Sequence, residues 1–371
     1  MYLALKEIKK EKLRFILIIV VTALIAFVVY FLASLAFGLA QLNRTSIDYW
    51  KSEGIIISKS ANRNIYSSTI DLNKVEELSL NIVDGINVAS ATVYINDEKQ
   101  GTPTDLVFMG YDLNSRKITA PVIEGRTVNS ENEIIISSNI RNEIDIKLND
   151  TVIVAKSKRQ FKVVGFTQDS NYNTVPVAYV SKKMATQDML LYEKDDPEIA
   201  SVASPNTNLH ERVSAILIYD SGYTDNFKDT DLEYINIDDF IKNLPGYQAQ
   251  ILTFGLMIVS LATISSIIIG IFMYILTMQK KSIFGVLKIQ GYQNLYIMKS
   301  VLYQSILLII VGFSIGLLLT IVTVNYLPAK VPVEIFWPLN IVVTLFAVVC
   351  SFLGTLFSAR NVLKIDPLEA L

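Results

Sequence analysis

Side chains that catalyse reactions or hold metals are scarce in this chain, and the scarcity excludes whole classes of chemistry. Its 371 residues contain one cysteine, Cys350, and one histidine, His210. A lone cysteine closes no disulfide within the chain, and the pair cannot assemble a Cys/His zinc site. Cys350 sits in an apolar run, where a thiol packs as a small apolar group. His210, in the polar stretch Asn206-Thr-Asn-Leu-His-Glu-Arg, reads as an exposed loop residue rather than a metal or haem ligand. No Gly-x-x-x-x-Gly-Lys-Ser/Thr loop occurs, so the chain cannot cradle a nucleotide phosphate in the P-loop manner. No Ser/His/Asp set and no carboxylate pair reads as a site. No catalytic or metal-binding residues are therefore expected, and the chain is read as a non-enzyme.

One spacing does carry meaning. In Gln279-Lys-Lys-Ser-Ile-Phe-Gly-Val-Leu-Lys-Ile-Gln-Gly-Tyr, the residues Ile283, Phe284, Val286, Leu287 and Ile289 make a short, lysine-rich loop unusually apolar. Gly291 is placed to end a helix there. Two readings stay open: a helix that docks in a groove of a partner protein, or a helix lying on lipid.

The elements around this loop are long apolar runs. Phe15–Leu42, Ile251–Met278, Val301–Leu327 and Ile335–Ala359 contain no Lys, Arg, Asp or Glu. Roughly 20 apolar residues cross a ~30 Å hydrocarbon core, and a charge at mid-bilayer costs several kcal/mol. The runs are read as four membrane spans arranged one and then three. The first is taken as a retained anchor, because a secretory h-region is only about 7–15 residues long. The expected organisation is a cytoplasmic N-terminal helix over 1–14, spans over 15–42, 249–278, 300–327 and 335–359, and an extracytoplasmic domain over 43–248. A coupling loop over 279–299, an outer loop over 328–334 and a cytoplasmic tail over 360–371 complete it.

Charge sets the orientation. The two end segments and the 279–300 loop carry eleven Lys/Arg against four Asp/Glu, whereas the block between spans one and two carries 21 against 30. Short cationic flanks stay in the cytoplasm. Both termini are therefore expected inside and the large domain outside, in a plasma membrane. Met1–Leu13 alternates leucines and lysines and suits the inner headgroup layer.

Within the outer block, strands are expected at Gly54–Ser58, Val93–Ile95, Leu106–Met109, Glu133–Ser137, Thr151–Ala155, Phe161–Phe166, Pro176–Val180 and Ala215–Tyr219. Helices are expected over Leu72–Leu80, after an Asp71 N-cap, and over Asp238–Asn243, with a turn at Leu148–Thr151. The fold class is thus four transmembrane helices plus an α+β domain with its own core. Gly312-x-x-x-Gly316 and Ser266-x-x-x-Gly270 could bring helices close, within one chain or across a dimer.

The loop Ser282-Ile-Phe-Gly-Val-Leu-Lys-Ile-Gln-Gly resembles the coupling segment of FtsX/MacB-type ABC transporter permeases. The tail Ser358-Ala-Arg-Asn-Val-Leu-Lys-Ile-Asp-Pro-Leu-Glu-Ala-Leu resembles the ending of that family. Ile123-Glu-Gly-Arg, Glu133-Ile-Ile-Ile-Ser, Ile146-Lys-Leu-Asn-Asp-Thr-Val and Phe161-Lys-Val-Val-Gly-Phe follow its outer-domain motifs in order. A departure is Ser282 or Ile283 where the family carries an acidic residue.

The resemblance implies a MacB-core-like outer domain and a homodimer of permeases with two copies of a separate ATP-binding subunit, which supplies ATP and Mg. It further implies coupling through Ile283, Phe284, Gly285, Val286, Leu287, Lys288 and Gly291. The family's outputs are export of an amphiphile (haem, antimicrobial peptide or drug) or mechanotransmission to an extracellular adaptor or cell-wall hydrolase. The size of the outer domain leans toward export. The opening residues resemble the DevC and haem-efflux branch, for which Asp48, Tyr49, Tyr247 and Met257 are the candidate substrate contacts. An interfacial anchoring role for the tyrosines is the alternative. Membrane lipids are the other expected partners, and nucleic acid is not.

Overall fold

The computed structural model describes residues 12–72, 84–97, 101–113, 118–191, 212–220, 231–328 and 330–363. The stretch expected to be amphipathic at the N-terminus (but for its last two residues), His210, most of the helix expected over 72–80 and the end of the tail lie outside them. The chain forms two compact units, one of residues 1–38 and 249–371, the other Leu39–Gln248.

Among the described residues, four helices are long and apolar enough to cross a membrane. They are α1 (Lys12–Trp50), α4 (Tyr247–Gln279), α6 (Asn294–Tyr326) and α7 (Trp337–Leu363), with the short α5 (Lys281–Ile289) between the second and third. At 39 residues α1 measures about 58 Å. It runs eight residues past the apolar stretch, because Asn43-Arg-Thr-Ser-Ile-Asp-Tyr-Trp keeps helical spacing in polar form, with Arg44 and Asp48 paired at i,i+4.

The first unit is held by a core of Phe15, Ile18, Ala26 and Tyr30 from α1 against Ile269 and Met273 of α4, with Leu308 and Phe313 of α6. Small residues set the closest approaches. A Cβ on Gly316 would lie 2.6 Å from Ala26 Cβ, and one on Gly312 2.6 Å from Thr22 Cγ2, so α6 meets α1 nearly backbone to backbone. Gly270 of α4 faces Gly354 of α7 in the same way, and Ser266 Oγ donates to the Cys350 carbonyl. Both small-residue motifs are thus used inside one chain. Tyr30 Oη and Thr344 Oγ1, 2.7 Å apart, join α1 to α7, and Phe37 stacks on Phe336 at 4.4 Å. Leu17, Leu24, Leu256, Ile264, Leu318 and Leu345 are exposed, a surface matched to hydrocarbon rather than water.

The second unit is an eleven-stranded mixed sheet with a separate two-stranded sheet among the described residues. In chain order the strands are β1 (Gly54–Ser58), β2 (Ile70–Asp71), β3 (Asp84–Ile95), β4 (Thr104–Tyr111), β5 (Val122–Gly125), β6 (Glu133–Ser137) and β7 (Thr151–Val154). They continue with β8 (Gln160–Thr167), β9 (Asn171–Tyr172), β10 (Val175–Ser181), β11 (Arg212–Val213), β12 (Ala215–Ile218) and β13 (Leu232–Asn236). The main path is β13-β1-β12-β3-β4-β10-β6-β8-β5, with β7 pairing β3 and β8, and β9 pairing β10; β2 and β11 form the two-stranded sheet. The β4/β10 and β6/β8 pairs are parallel.

Successive side chains point to opposite faces, so the central strands β3, β4 and β10 feed two cores. Val88, Val107, Met109, Val177 and Tyr179 enter one; Ala89, Leu106, Phe108, Ala178 and Val180 enter the other. Two short helices, α2 (Gln187–Leu191) and α3 (Ile237–Lys242), complete the described part, and Asn236 caps α3 by accepting from Asp238 N–H. Each strand expected from the sequence is present. The Val93–Ile95 segment is the tail of the twelve-residue β3, whose start (Asp84-Gly-Ile-Asn) is too small and polar to announce a strand.

Candidate functional site

Helix α5 carries all but one of the candidate coupling residues. It is closed by a left-handed cap: Gly291, at φ +87°, donates to the Lys288 carbonyl at 3.0 Å, and Tyr292 N–H donates to Leu287 O at 3.1 Å. This 5→2 and 6→1 pair satisfies the terminal carbonyls and turns the chain sharply into α6. No heavy atom lies near a Cβ on Gly291, so its glycine identity answers to backbone conformation alone.

The helix has two faces of different use. Phe284 is 1% exposed and belongs to the bundle core with Phe15, Met273, Leu276, Ile297 and Val301. Gly285 is buried beside it, and Leu287 packs partly against the same core. Ile283, Val286 and Ile289, three residues apart, are exposed on the other side at 47%, 43% and 55%. Lys288 is half-buried. The seven residues are therefore not one surface: Phe284 and Gly285 seat the helix, while Ile283, Val286 and Ile289 remain available to a partner. The seat is reinforced at its entry, where Lys280 Nζ lies 5.5 Å from the Phe15 ring centroid and Arg14 donates to Gln279 Oε1 at 2.5 Å.

The candidate substrate contacts are engaged to different degrees. Both Asp48 oxygens accept from Arg44, at 2.5–3.1 Å. The same guanidinium hydrogen-bonds Tyr247, whose ring is 7% exposed and packs in the sheet domain's core. Asp48, Arg44 and Tyr247 thus form one polar clamp between the end of α1 and the start of α4. Arg44 is the residue that sequence reasoning missed; its i,i+4 spacing to Asp48 was the available signal. Tyr49 is half-buried and donates to Gln168 Oε1 at 3.2 Å. Met257 lies ten residues along α4 from Tyr247 and is 46% exposed. The end of α1 is further tied to the β9–β10 hairpin, for Asn173 and Thr174 N–H donate to the carbonyls of Asn43 and Leu42, both at 3.0 Å.

No group of three or more His, Cys, Asp or Glu fit to hold a metal ion occurs among the described residues. Among the described residues outside the spans, the carboxylate with the largest shift is Glu133 at the start of β6. The Arg126 guanidinium and the Asn129 and Ser130 backbone hold it down to about 2, against a smaller opposing effect of burial.

Comparison with known proteins agrees with the loop and tail. Residues 255–367 match the family model described as FtsX-like permease C-terminal. Two staphylococcal proteins, each provisionally named hemin transport system permease protein HrtB, align with all of this chain and 99% of their own length. The one from Staphylococcus haemolyticus is 26% identical over 379 residues, and one from Staphylococcus epidermidis is 26% identical over 374. The solved extracellular domain of the noncanonic ABC-type transporter YknZ from Gram-positive bacteria covers 46% of this chain and 84% of its own, at 14% identity. Its TM-score of 0.30 is too low to equate the two folds. The chain is similar over its whole length to proteins named as hemin transport permeases, and its residues 255–367 match the FtsX-like permease C-terminal model.

Proposed function

We propose that this chain is the membrane subunit of an ATP-driven exporter that moves hemin or a similar amphiphile, with both termini inside the cell and the sheet domain outside. The observation that carries the reading is α5, a helix seated in the bundle by Phe284 that offers Ile283, Val286 and Ile289 outward. A separate ATP-binding subunit would dock there, one on each permease of a homodimer. Movement at α5 would be delivered to α4 and α6, which it contacts through Phe284. Since no charged residue crosses the spans, the cargo is better supplied from the bilayer than through an aqueous pore.

Hemin as cargo follows from the names of the full-length relatives, and its flat apolar ring with two carboxylates suits the membrane interface. We place its contacts at Asp48, Tyr49, Tyr247 and Met257. Asp48, Tyr49 and Met257 present surface as they stand, Asp48 while paired to Arg44, whereas the buried Tyr247 would have to give up Arg44. The test is ATPase activity of the permease co-purified in nanodiscs with the neighbouring ATP-binding protein, titrated with hemin. Severalfold stimulation that weakens in Tyr49→Phe and Met257→Ala is expected. A complex with steady ATPase activity that ignores hemin would remove the cargo, and failure to form a complex would remove the exporter.

A further inference from the structure

Strand β3 is continuous over Asp84–Ile95, but its neighbour on one side is not. There β12 pairs with residues 84–86 and β7 with residues 93–95, while β4 pairs from Asn87 to Val93 along the other side. Among the described residues no strand pairs with the first side between Ile86 and Val93. In an antiparallel ladder alternate residues aim N–H and C=O at the same edge. Val88 N–H donates to Ser214 Oγ at 3.1 Å, and Thr92 C=O accepts from Ala155 N–H at 2.9 Å, so Val88, Ser90 and Thr92 address the open edge. Ser90, midway between them, is exposed in the interior of a long strand.

A cavity of about 640 Å³ sits on this break. Its lining draws on both cores: Tyr66 and Val107 from one face of the sheet, Val154 and Leu190 from the other. A pocket on one face would touch only one of them. The cavity therefore passes through the plane of the sheet where, among the described residues, no strand pairs with β3.

We propose that this break is a binding slot for an extended cationic peptide, taken up as a short antiparallel strand beside Ser90. Strand addition lends affinity through main-chain hydrogen bonds and selects alternate side chains by the pockets that they meet. Ser214 and Ala155 close the two ends, leaving room for about five residues at about 3.3 Å each. A single extended chain fits such a slot and the edge of a second folded sheet does not. Successive side chains would face Tyr66 and Tyr94 on one side and Leu190 and Leu191 on the other, so large apolar residues are preferred at both. Charge decides the rest. Exposed Asp105 lines this cavity and an adjoining one of about 280 Å³ that also carries Glu143, against the single Lys156. This site is independent of the hemin reading.

The test uses the full chain in nanodiscs and two fluorescein-labelled synthetic heptapeptides, Lys-Val-Phe-Val-Leu-Val-Gly and its counterpart with glutamate for lysine, read by fluorescence anisotropy. Saturable binding with at least fivefold preference for the lysine peptide is expected. Asp105→Lys should reverse that preference. Ser90→Pro should weaken binding at least tenfold while leaving the unfolding temperature unchanged, since the amide it removes faces the slot rather than β4. Should that variant fail to fold, hydrogen exchange on the wild type decides, with peptide expected to slow the amides of the segment around Ser90. Absence of saturable binding, binding indifferent to Ser90→Pro in a folded variant, or no added protection would overturn the proposal. So would a disulfide between Ser90→Cys and a second cysteine substituted within 192–211, which would assign the slot to the chain itself.

Discussion

At the scale of single residues, two positions make testable demands on stability. Glu133 has its folded pKa near 2, below the usual 4.5. Its contribution is thus fully present above about pH 4.5 and is lost as the pH falls through 2. Glu133→Gln should lower the thermal unfolding temperature at pH 7, and its gap to wild type should close between pH 5 and pH 2 in detergent melts. Gly316 is a steric demand. A Cβ there would also lie 2.8 Å from the Ala23 carbonyl oxygen, backbone that cannot swing aside. Gly316→Leu should cost about 1–3 kcal/mol by forcing α6 from α1, read by the same melts. Residue-level function was only partly legible in the sequence. Asp48 and Tyr247 could be nominated by position, but the shared guanidinium of Arg44 is a through-space fact.

At the scale of elements, the proposed docking face of α5 is distinct from the face that seats it. Phe284→Ala removes a fully buried ring and should cost about 3–5 kcal/mol of stability. An aspartate at Phe284 would unseat the helix rather than report on a partner. Val286→Asp or Ile283→Asp alters only exposed surface and should abolish co-purification of the ATP-binding subunit at unchanged unfolding temperature. Loss of stability in those variants would show that their side chains are seated too. The apolar spacing of the loop was readable, but which half of it faces the bundle was not, because a nine-residue helix places apolar residues on more than one side. The strands divide in a similar way. Those with buried runs, such as β1, β6 and β10, were legible, whereas β5 and β13 were missed. Both lie at the ends of the sheet path, where Ile123 and Glu124 are exposed and Glu233 and Tyr234 half-exposed, so neither shows the buried run that marks a central strand.

At the scale of the whole molecule, charge asymmetry makes an orientation prediction. In a Cys350→Ala background, Ser130→Cys should react with a membrane-impermeant maleimide in intact cells, and Gln290→Cys only after permeabilisation. The opposite pattern would invert the molecule and with it the docking of an ATPase at α5. The four spans were plain in the sequence because an uninterrupted apolar run has few alternatives in a bilayer. The break in the sheet beside Ser90 was not, since an unpaired edge is defined by what is missing from the neighbouring strand.

The division of α5 has a consequence for compatibility among related transporters. If the exposed residues choose the partner as proposed, they and the residues that hold the helix share nine positions without overlapping, so the two can change separately. Transplanting only Ser282, Ile283, Val286 and Ile289 from a relative should transfer the choice of ATP-binding subunit and leave the rest of the permease unaware of the exchange.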